Sequence, residues 1–181
     1  MRALSTLLLA VLIGCLEGIL LLAGVMGVIA LLTPVPALDL SDGVTRVVVP
    51  LGPAGFYTYS YINSVYDAPV EEVHLRADDG LRITSVFSAD IRAVEYFRWD
   101  GEPQPVGGRY RQSAPPNDQP QLVIRVTPQY RQQITCGPSY VLFGDCDGWK
   151  VDLADQFGDG LVRVSPARMP WALVLLARWR R

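Results

Sequence analysis

The chain has 181 residues, half of them hydrophobic, with 18 acidic and 16 basic residues and a formal net charge of −2. This length fits one domain with additional terminal segments. Residues 39–166 hold 17 acids and 11 bases, whereas residues 168–181 hold four arginines and no acid. A mildly acidic body argues against nucleic-acid binding, which requires clustered Lys and Arg to neutralise phosphates.

The first predicted element is an apolar segment of 26 residues, Leu7–Leu32, in which Glu17 is the one charged residue. About 20 helical residues cross the roughly 30 Å apolar core of a bilayer. The sixteen Leu, Ile and Val residues favour insertion by about 0.3–0.6 kcal/mol each, which outweighs roughly 3 kcal/mol for a central acid. The segment is therefore predicted to be a transmembrane helix that acts as a signal-anchor, after an N-terminus of residues 1–6.

The orientation of this helix is predicted from the position of the positive charge. Arg2 precedes the segment, and no basic residue follows it until Arg46. By the positive-inside rule the N-terminus lies in the cytoplasm, and the protein is a single-pass plasma-membrane protein with an extracytoplasmic main domain. One alternative is a lipoprotein, because Leu12-Ile13-Gly14-Cys15 resembles a cleavage box with Cys15 as the lipidated residue. The other is a cleaved signal, although its apolar core normally has only about 7–15 residues.

Small residues lie along one face of the predicted helix. Ala10, Gly14 and Gly18 recur every four residues, and Glu17 lies beside them. Small residues let a second helix approach closely, and an acid at this depth usually faces protein or water. The pattern predicts association with another membrane protein or with a second copy of the chain. The alternative is that small residues are simply frequent in membrane helices and that Glu17 is protonated or snorkels.

Residues 33–42 are predicted to be a linker, and residues 43–167 an extracytoplasmic β domain. Short apolar runs with period two, separated by Gly, Pro and Asp, predict strands, and no window of a dozen residues has helical periodicity. Asp78-Asp79-Gly80 and Asp100-Gly101 predict turns. The fold class is therefore mainly β, a β-sandwich or a small barrel. The candidate strands are Val44–Leu51, Phe56–Ile62, Val70–Ala77, Leu81–Phe87, Ala93–Trp99, Arg109–Gln112, Gln121–Val126, Gln132–Cys136, Tyr140–Phe143, Trp149–Leu153 and Leu161–Val164.

Two cysteines of the predicted domain, Cys136 and Cys146, are close in sequence. Outside the cytoplasm such a pair usually oxidises, and closing a loop of about 11 residues contributes roughly 2–3 kcal/mol. A metal site would need further ligands, and a catalytic dithiol usually has the tighter Cys-x-x-Cys spacing. A structural disulfide is predicted, and no metal or cofactor.

The chain has no nucleophile elbow, zinc-protease helix motif or phosphate loop, so no catalytic residue is predicted. The one histidine, His74, alternates with apolar neighbours in a candidate strand and is expected on its solvent face. Glu71 and Glu72 are adjacent, so their side chains point to opposite faces of a strand and cannot form an acid–base pair. The enzymatic alternative is an extracytoplasmic hydrolase that uses Ser64 and a carboxylate.

Tyr57, Tyr59 and Tyr61 alternate along one candidate strand and are predicted to share a face. Cross-strand aromatic packing is the ordinary reason for such a pattern. A ligand-facing aromatic surface is the alternative.

The tail, residues 168–181, is apolar and basic and is too short to cross a bilayer. Two tryptophans and the terminal arginines are typical of a segment lying at the lipid headgroups, and a final strand with a basic end is the alternative.

The run from Tyr61 to Glu72 reads Tyr-Ile-Asn-Ser-Val-Tyr-Asp-Ala-Pro-Val-Glu-Glu. It resembles the hallmark of the domain-of-unknown-function 1850 family, in which Tyr-x-His-Ser-Val is followed after a short gap by Pro-Val-x-Glu. The residues that carry the resemblance are Tyr61, Asn63, Ser64, Val65, Pro69, Val70, Glu71 and Glu72, with Asn63 at the family's histidine position. Members are small, usually membrane-anchored and often encoded beside subunits of tripartite ATP-independent periplasmic transporters. The resemblance implies an accessory role near a solute transporter.

The leading hypothesis is a non-enzymatic, membrane-anchored accessory or binding domain. The alternative from another class is a structural envelope protein that only self-associates.

Overall fold

The computed structural model describes residues 2–52, 54–77, 80–136 and 149–179, with side chains left undescribed at residues 2–16, 175 and 177–179. The chain divides into two compact units, one of residues 1–34 with 170–181 and one of residues 35–169. In chain order the elements are α1 (Arg2–Leu32), β1 (Pro34–Ser41), β2 (Arg46–Pro50), β3 (Phe56–Asn63), β4 (Ala68–Arg76), β5 (Leu81–Ser88), α2 (Ile91–Glu95), β6 (Gln104–Val106), β7 (Arg109–Ser113), β8 (Asp118–Gln119), β9 (Leu122–Val126), a 3₁₀ turn (Pro128–Tyr130), β10 (Gln133–Cys136), β11 (Lys150–Asp152), α3 (Leu153–Phe157), β12 (Gly160–Pro170) and α4 (Trp171–Trp179).

The first unit is helical. In α1 every described side chain, from Glu17 to the end of the helix, is exposed. The short helix α4 contacts α1, and the Trp171 backbone N–H donates to the Thr33 carbonyl oxygen at 3.1 Å. Val174 is buried in α4, whereas Leu173 and Leu176 are exposed. Among the residues whose side chains the structure describes, no helix is both long enough and apolar enough to cross a membrane.

The second unit is mainly β, as predicted, and contains two sheets. Sheet A has the strand order β2-β1-β12-β9, and sheet B has the order β11-β10-β3-β4-β5-β7-β6, with β8 also paired to β5. Neighbours in sheet B run antiparallel. Contacts between segments of the two sheets include the Gln132 amide, just before β10, which donates to the Arg125 carbonyl oxygen at 2.8 Å, and the Cys136 sulfur, which lies 3.2 Å from the Pro50 carbonyl oxygen.

The predicted linker over residues 33–42 is wrong. Residues Pro34–Ser41 form β1, which lies between β2 and β12 in sheet A. Ala37, Leu38 and Leu40 are fully buried there. Burial of these apolar side chains stabilises the strand despite its prolines, which a sequence pattern counts as breakers.

The predicted strand Ala93–Trp99 is also wrong, because Ile91–Glu95 form the helix α2. Asp90 caps this helix by accepting a hydrogen bond from the Arg92 backbone N–H at 2.9 Å. Adjacent Ala93 and Val94 are both buried, in a cluster with Val70 of β4 and Val86 of β5. Two consecutive buried residues fit a helix and not a half-buried strand.

Other boundaries differ less. The predicted strand at Val44 begins at Arg46, and β12 continues to Pro170 before the tail forms a helix. The antiparallel pairing of β4 and β5 agrees with the turn predicted between them, although Asp78 and Asp79 lie outside the described residues. The predicted strand Tyr140–Phe143 and Cys146 also lie outside them, so the disulfide with Cys136 stays a prediction.

Candidate functional site

A row of side chains crosses the inner face of sheet B, with two polar groups at its centre. Directly paired residues on neighbouring strands lie on one face of a sheet. The paired residues, in order from β11 to β7, are Val151, Ile134, Tyr59, Glu72, Val86 and Gln112. All except Tyr59 are buried, so the Glu72 carboxylate lies inside the domain, between Tyr59 and Val86.

Glu72 has a buried partner on its own strand. The His74 Nε2 atom lies 3.0 Å from the Glu72 Oε2 atom, and the His74 side chain is 1% exposed. The expectation that His74 faces solvent is therefore wrong: it faces inward with Glu72, two residues away on β4, because the paired tyrosines on β3 pack over them. Glu71 points to the other face and pairs with Arg109, as its position beside Glu72 predicts.

The geometry of this pair constrains where the ring proton of His74 lies. A carboxylate only accepts hydrogen bonds, so with Glu72 ionised the His74 proton lies on Nε2. The His74 Nδ1 atom is buried and has no hydrogen-bond partner among the described residues. With Glu72 ionised, one ring proton is enough to satisfy the hydrogen bond of the pair.

The three alternating tyrosines of β3 lie on this inner face. Tyr57 is buried, and Tyr59 and Tyr61 are half-buried with ring centroids 5.0 Å apart. Burial raises the pKa of all three phenols, and the negative charge of Glu72 raises each pKa further. Each hydroxyl is therefore held in its neutral form, within the field of one carboxylate.

A glutamine fixes Tyr59 from the neighbouring segment. The Gln132 Nε2 atom donates to the Tyr59 hydroxyl at 2.7 Å and to the Arg125 carbonyl oxygen at 2.8 Å. Its Oε1 atom accepts from the Thr127 backbone N–H at 2.7 Å. Gln132 is itself buried, so these bonds hold the position of the tyrosine ring.

Tyr59 and Tyr61 form the floor of an open cleft of about 210 Å³, here called the tyrosine cleft. Tyr96, which follows α2, and Tyr130, in the 3₁₀ turn, also line it. The turn after β3 closes one side with residues 62–65, and Gln132 closes another. A concave surface that combines aromatic rings with a few placed polar groups is found in small-molecule sites.

The turn with the family-like run borders this cleft. Asn63 is buried, and its Oδ1 atom accepts from the backbone N–H groups of Val65 at 2.9 Å and Tyr66 at 3.2 Å. In the described part of the chain its Nδ2 atom has no hydrogen-bond partner and remains available as a donor. Ser64 and Pro69 are exposed, whereas Val70 is buried under α2.

The Ser64 hydroxyl forms no hydrogen bond with any described residue, so no base there orients it as a nucleophile. Among the same residues, no group of three or more His, Cys, Asp or Glu side chains is placed to hold a metal ion. The arrangement can bind a solute through rings, hydroxyls and one amide.

The predicted helix-packing residues are placed only in part. Glu17 and Gly18 are exposed, and no atom lies within 4 Å of a Cβ built on Gly18. Ala10 and Gly14 belong to α1, but their side chains lie outside the description.

Sequence reasoning found the floor of the cleft but missed Tyr96, Tyr130 and Gln132. These three lie more than 30 positions away from the floor in the printed sequence, on segments that only the fold brings together. No protein-family model, curated protein or solved structure matches the chain.

Proposed function

We propose that this chain is a non-enzymatic, membrane-anchored extracytoplasmic domain that binds a small solute in the tyrosine cleft, as an accessory to a solute transporter. The observation that supports it is that residues of the family-like run also line the cleft. Tyr61, Asn63, Ser64 and Val65 carry the resemblance to the domain-of-unknown-function 1850 family, and all four line the cleft. Members of that family are often encoded beside transporter subunits, so a solute site at this turn fits an accessory role.

The proposed membrane anchor is the apolar run Leu7–Leu32. Its described side chains, residues 17–32, are all exposed and, apart from Glu17, all apolar, with Leu21 at 74% exposure. Soluble monomers rarely expose a continuous apolar patch of more than a few hundred Å². A lipid environment would satisfy this surface, and with residues 7–16 the run has the length that a bilayer requires.

The proposal extends to α4 and the arginines that follow it. Because the Trp171 N–H bonds to Thr33, α4 begins beside the end of α1. Exposed Leu173 and Leu176 and the terminal arginines suit a helix at the lipid headgroups on the outer side.

Solute binding is tested with the full-length chain purified in detergent. A panel of organic cations, organic anions, neutral polyols and apolar solutes is screened by thermal shift and then by calorimetry. Tyr96→Ala should abolish the response, whereas Phe56→Ala should preserve it, because Phe56 is an exposed aromatic on β3 outside the cleft. The solute site is rejected if no class binds, or if both variants bind like the parent.

Anchoring and orientation are tested by adding protease to intact spheroplasts. We expect cleavage within residues 35–169 and a protected apolar fragment that contains α1. Recovery of the intact chain in the soluble fraction would refute the anchor. If residues 35–169 are cleaved only after detergent is added, the domain lies on the cytoplasmic side and the proposed orientation is wrong.

Helix docking is tested by co-purification with a candidate transporter subunit. Gly18→Leu should abolish it by filling the small-residue face. Gly27→Leu is the matched control, since nine residues make about two and a half helical turns and place Gly27 on the opposite side. Retention with Gly18→Leu would reject docking through this face, and recovery of homo-oligomers without the subunit would favour self-association instead.

The disulfide between Cys136 and Cys146 belongs to the same proposal, because an extracytoplasmic domain meets an oxidising environment. Alkylation of the denatured chain should label both cysteines only after reduction. Labelling of both before reduction would exclude the disulfide.

A further inference from the structure

The tyrosine cleft has an aromatic lining without charged side chains. Tyr59, Tyr61, Tyr96 and Tyr130 supply four rings, and Asn63 supplies an amide donor from the turn. Aromatic rings carry negative potential on their faces, and the phenol oxygens add further negative potential. None of these groups offers the positive charge that would select an anion.

Glu72 supplies a negative charge next to this lining. Its side chain lies in the inner row beside Tyr59 and is only 12% exposed. Its carboxylate lies 3.0 Å from the Nε2 atom of the equally buried His74 ring. The effect reaches the cleft, because the Glu72 charge raises the pKa of both floor tyrosines.

Such a charge destabilises the fold. Removing a carboxylate from water is unfavourable, and hydrogen bonds with His74 and Tyr61 offset only part of that cost. An apolar residue would fit beside Val86, the direct partner of Glu72 on β5. A destabilising charged group beside a cleft is typical of a site where function opposes stability.

We infer that the tyrosine cleft binds a small organic cation, such as a quaternary ammonium, between its tyrosine rings and in the field of Glu72. The inference rests on the proposed function and names the solute class for that site. Rings stabilise a cation through their negative faces, and a quaternary ammonium is weakly hydrated, so it enters an aromatic cleft readily. A cleft of about 210 Å³ has room for such a headgroup.

The probe is choline, and the matched comparison is its uncharged isostere, in which a tert-butyl group replaces trimethylammonium. Both are titrated calorimetrically into the full-length chain in detergent. Choline should bind about ten-fold more tightly than the isostere, since the two differ in charge and hardly in shape. Equal affinities, or tighter binding of the isostere, would overturn the inference.

Two variants assign the effect to charge and to rings. Glu72→Gln keeps an acceptor for His74 but removes the charge, and should weaken choline binding about ten-fold while leaving the isostere unchanged. Glu71→Gln is its control, because that carboxylate lies on the opposite face with Arg109. Tyr96 is exposed, so its replacement should not disturb the fold. Tyr96→Phe should retain choline binding, and Tyr96→Leu should lose most of it. If Glu72→Gln does not fold, the comparison of Tyr96→Phe with Tyr96→Leu still tests the inference.

The outcomes separate this inference from the proposed function. If an anionic or neutral solute of the panel binds in a Tyr96-dependent way and choline does not, the cation inference fails and the solute site stands. If no solute class binds, both fail.

Discussion

Tyr57 of β3 stacks on His74 of β4, with ring centroids 4.8 Å apart and ring planes 17° apart. The two residues are direct cross-strand partners on the inner face of sheet B. The stack covers the histidine that donates to Glu72, so an aromatic ring and a charged pair share one buried region. The Tyr57 hydroxyl itself has no hydrogen-bond partner among the described residues.

Replacing Tyr57 with Phe should therefore leave stability unchanged or raise it by about 1 kcal/mol, because it removes a buried hydroxyl that lacks a partner. Tyr59→Phe should instead lower stability by about 1 kcal/mol, since the Tyr59 hydroxyl accepts from Gln132. Thermal unfolding of the full-length chain in detergent measures both. Equal destabilisation by the two variants would mean that the Tyr57 hydroxyl has a partner in solution.

Alkaline pH should destabilise the domain. Burial raises the pKa of Tyr57, Tyr59 and Tyr61 above the ordinary value of 10.0. The charge of Glu72 raises each pKa further, whereas the hydrogen bond from Gln132 lowers that of Tyr59. A raised folded-state pKa means that the stabilisation is fully present below pH 10 and is lost as pH rises, because the unfolded phenols ionise first.

Ultraviolet absorbance of tyrosinate, recorded with circular dichroism during an alkaline titration, tests this. We expect three phenols to ionise only as the domain unfolds, and Tyr61→Phe to reduce the loss of stability above pH 10. Ionisation of all phenols near pH 10 with the fold intact would contradict the burial of these rings.

The strand pattern predicted most of sheet B, because β3, β4 and β5 alternate regularly. It failed where burial depends on distant partners. Residues 34–41 are stable as a strand because β2 and β12 flank them. Residues 91–95 form a helix because Asp90 caps it and because its buried face packs on Val70 and Val86. Neither relation can be derived from a local pattern of apolar residues.

The candidate site shows the same limit. The sequence predicted that Glu71 and Glu72 diverge, but it assigned His74 to solvent, since a polar residue between Val73 and Leu75 suggests an exposed face. The deciding factor is that a polar pair is buried under the tyrosines of the next strand. Such a pair violates the usual alternation of apolar and polar residues, which is expected at functional positions.

Gln132 should be essential for stability, although it is an ordinary polar residue in sequence. Gln132→Leu would remove the partner of the Thr127 N–H and of the Arg125 carbonyl oxygen, and both of these bonds are partly buried. We expect a loss of about 2–4 kcal/mol, the combined cost of two unsatisfied groups.

The neighbouring Gln133 is the matched control. Its amide makes one longer bond, of 3.2 Å, to the Asp152 carboxylate. Gln133→Leu should cost less than about 1 kcal/mol. Thermal unfolding in detergent compares the two variants. Similar losses of stability would show that the Gln132 hydrogen bonds contribute no more than the Gln133 bond.

Gly80 should tolerate no side chain, because β8 lies directly against it. A Cβ at this position would lie 2.6 Å from the Gln119 carbonyl oxygen, which belongs to the backbone and cannot move without displacing β8. Gly80→Ala should therefore destabilise the domain by about 1–3 kcal/mol and weaken the ion pair between Arg82 and Asp118, which joins β8 to β5. At Gly160 a Cβ meets no atom within 4 Å, so Gly160→Ala should change stability by less than about 0.5 kcal/mol. Hydrogen exchange of the β8 amides, combined with thermal unfolding, measures both variants. If β8 keeps its protection in Gly80→Ala, it does not pack on Gly80 as described.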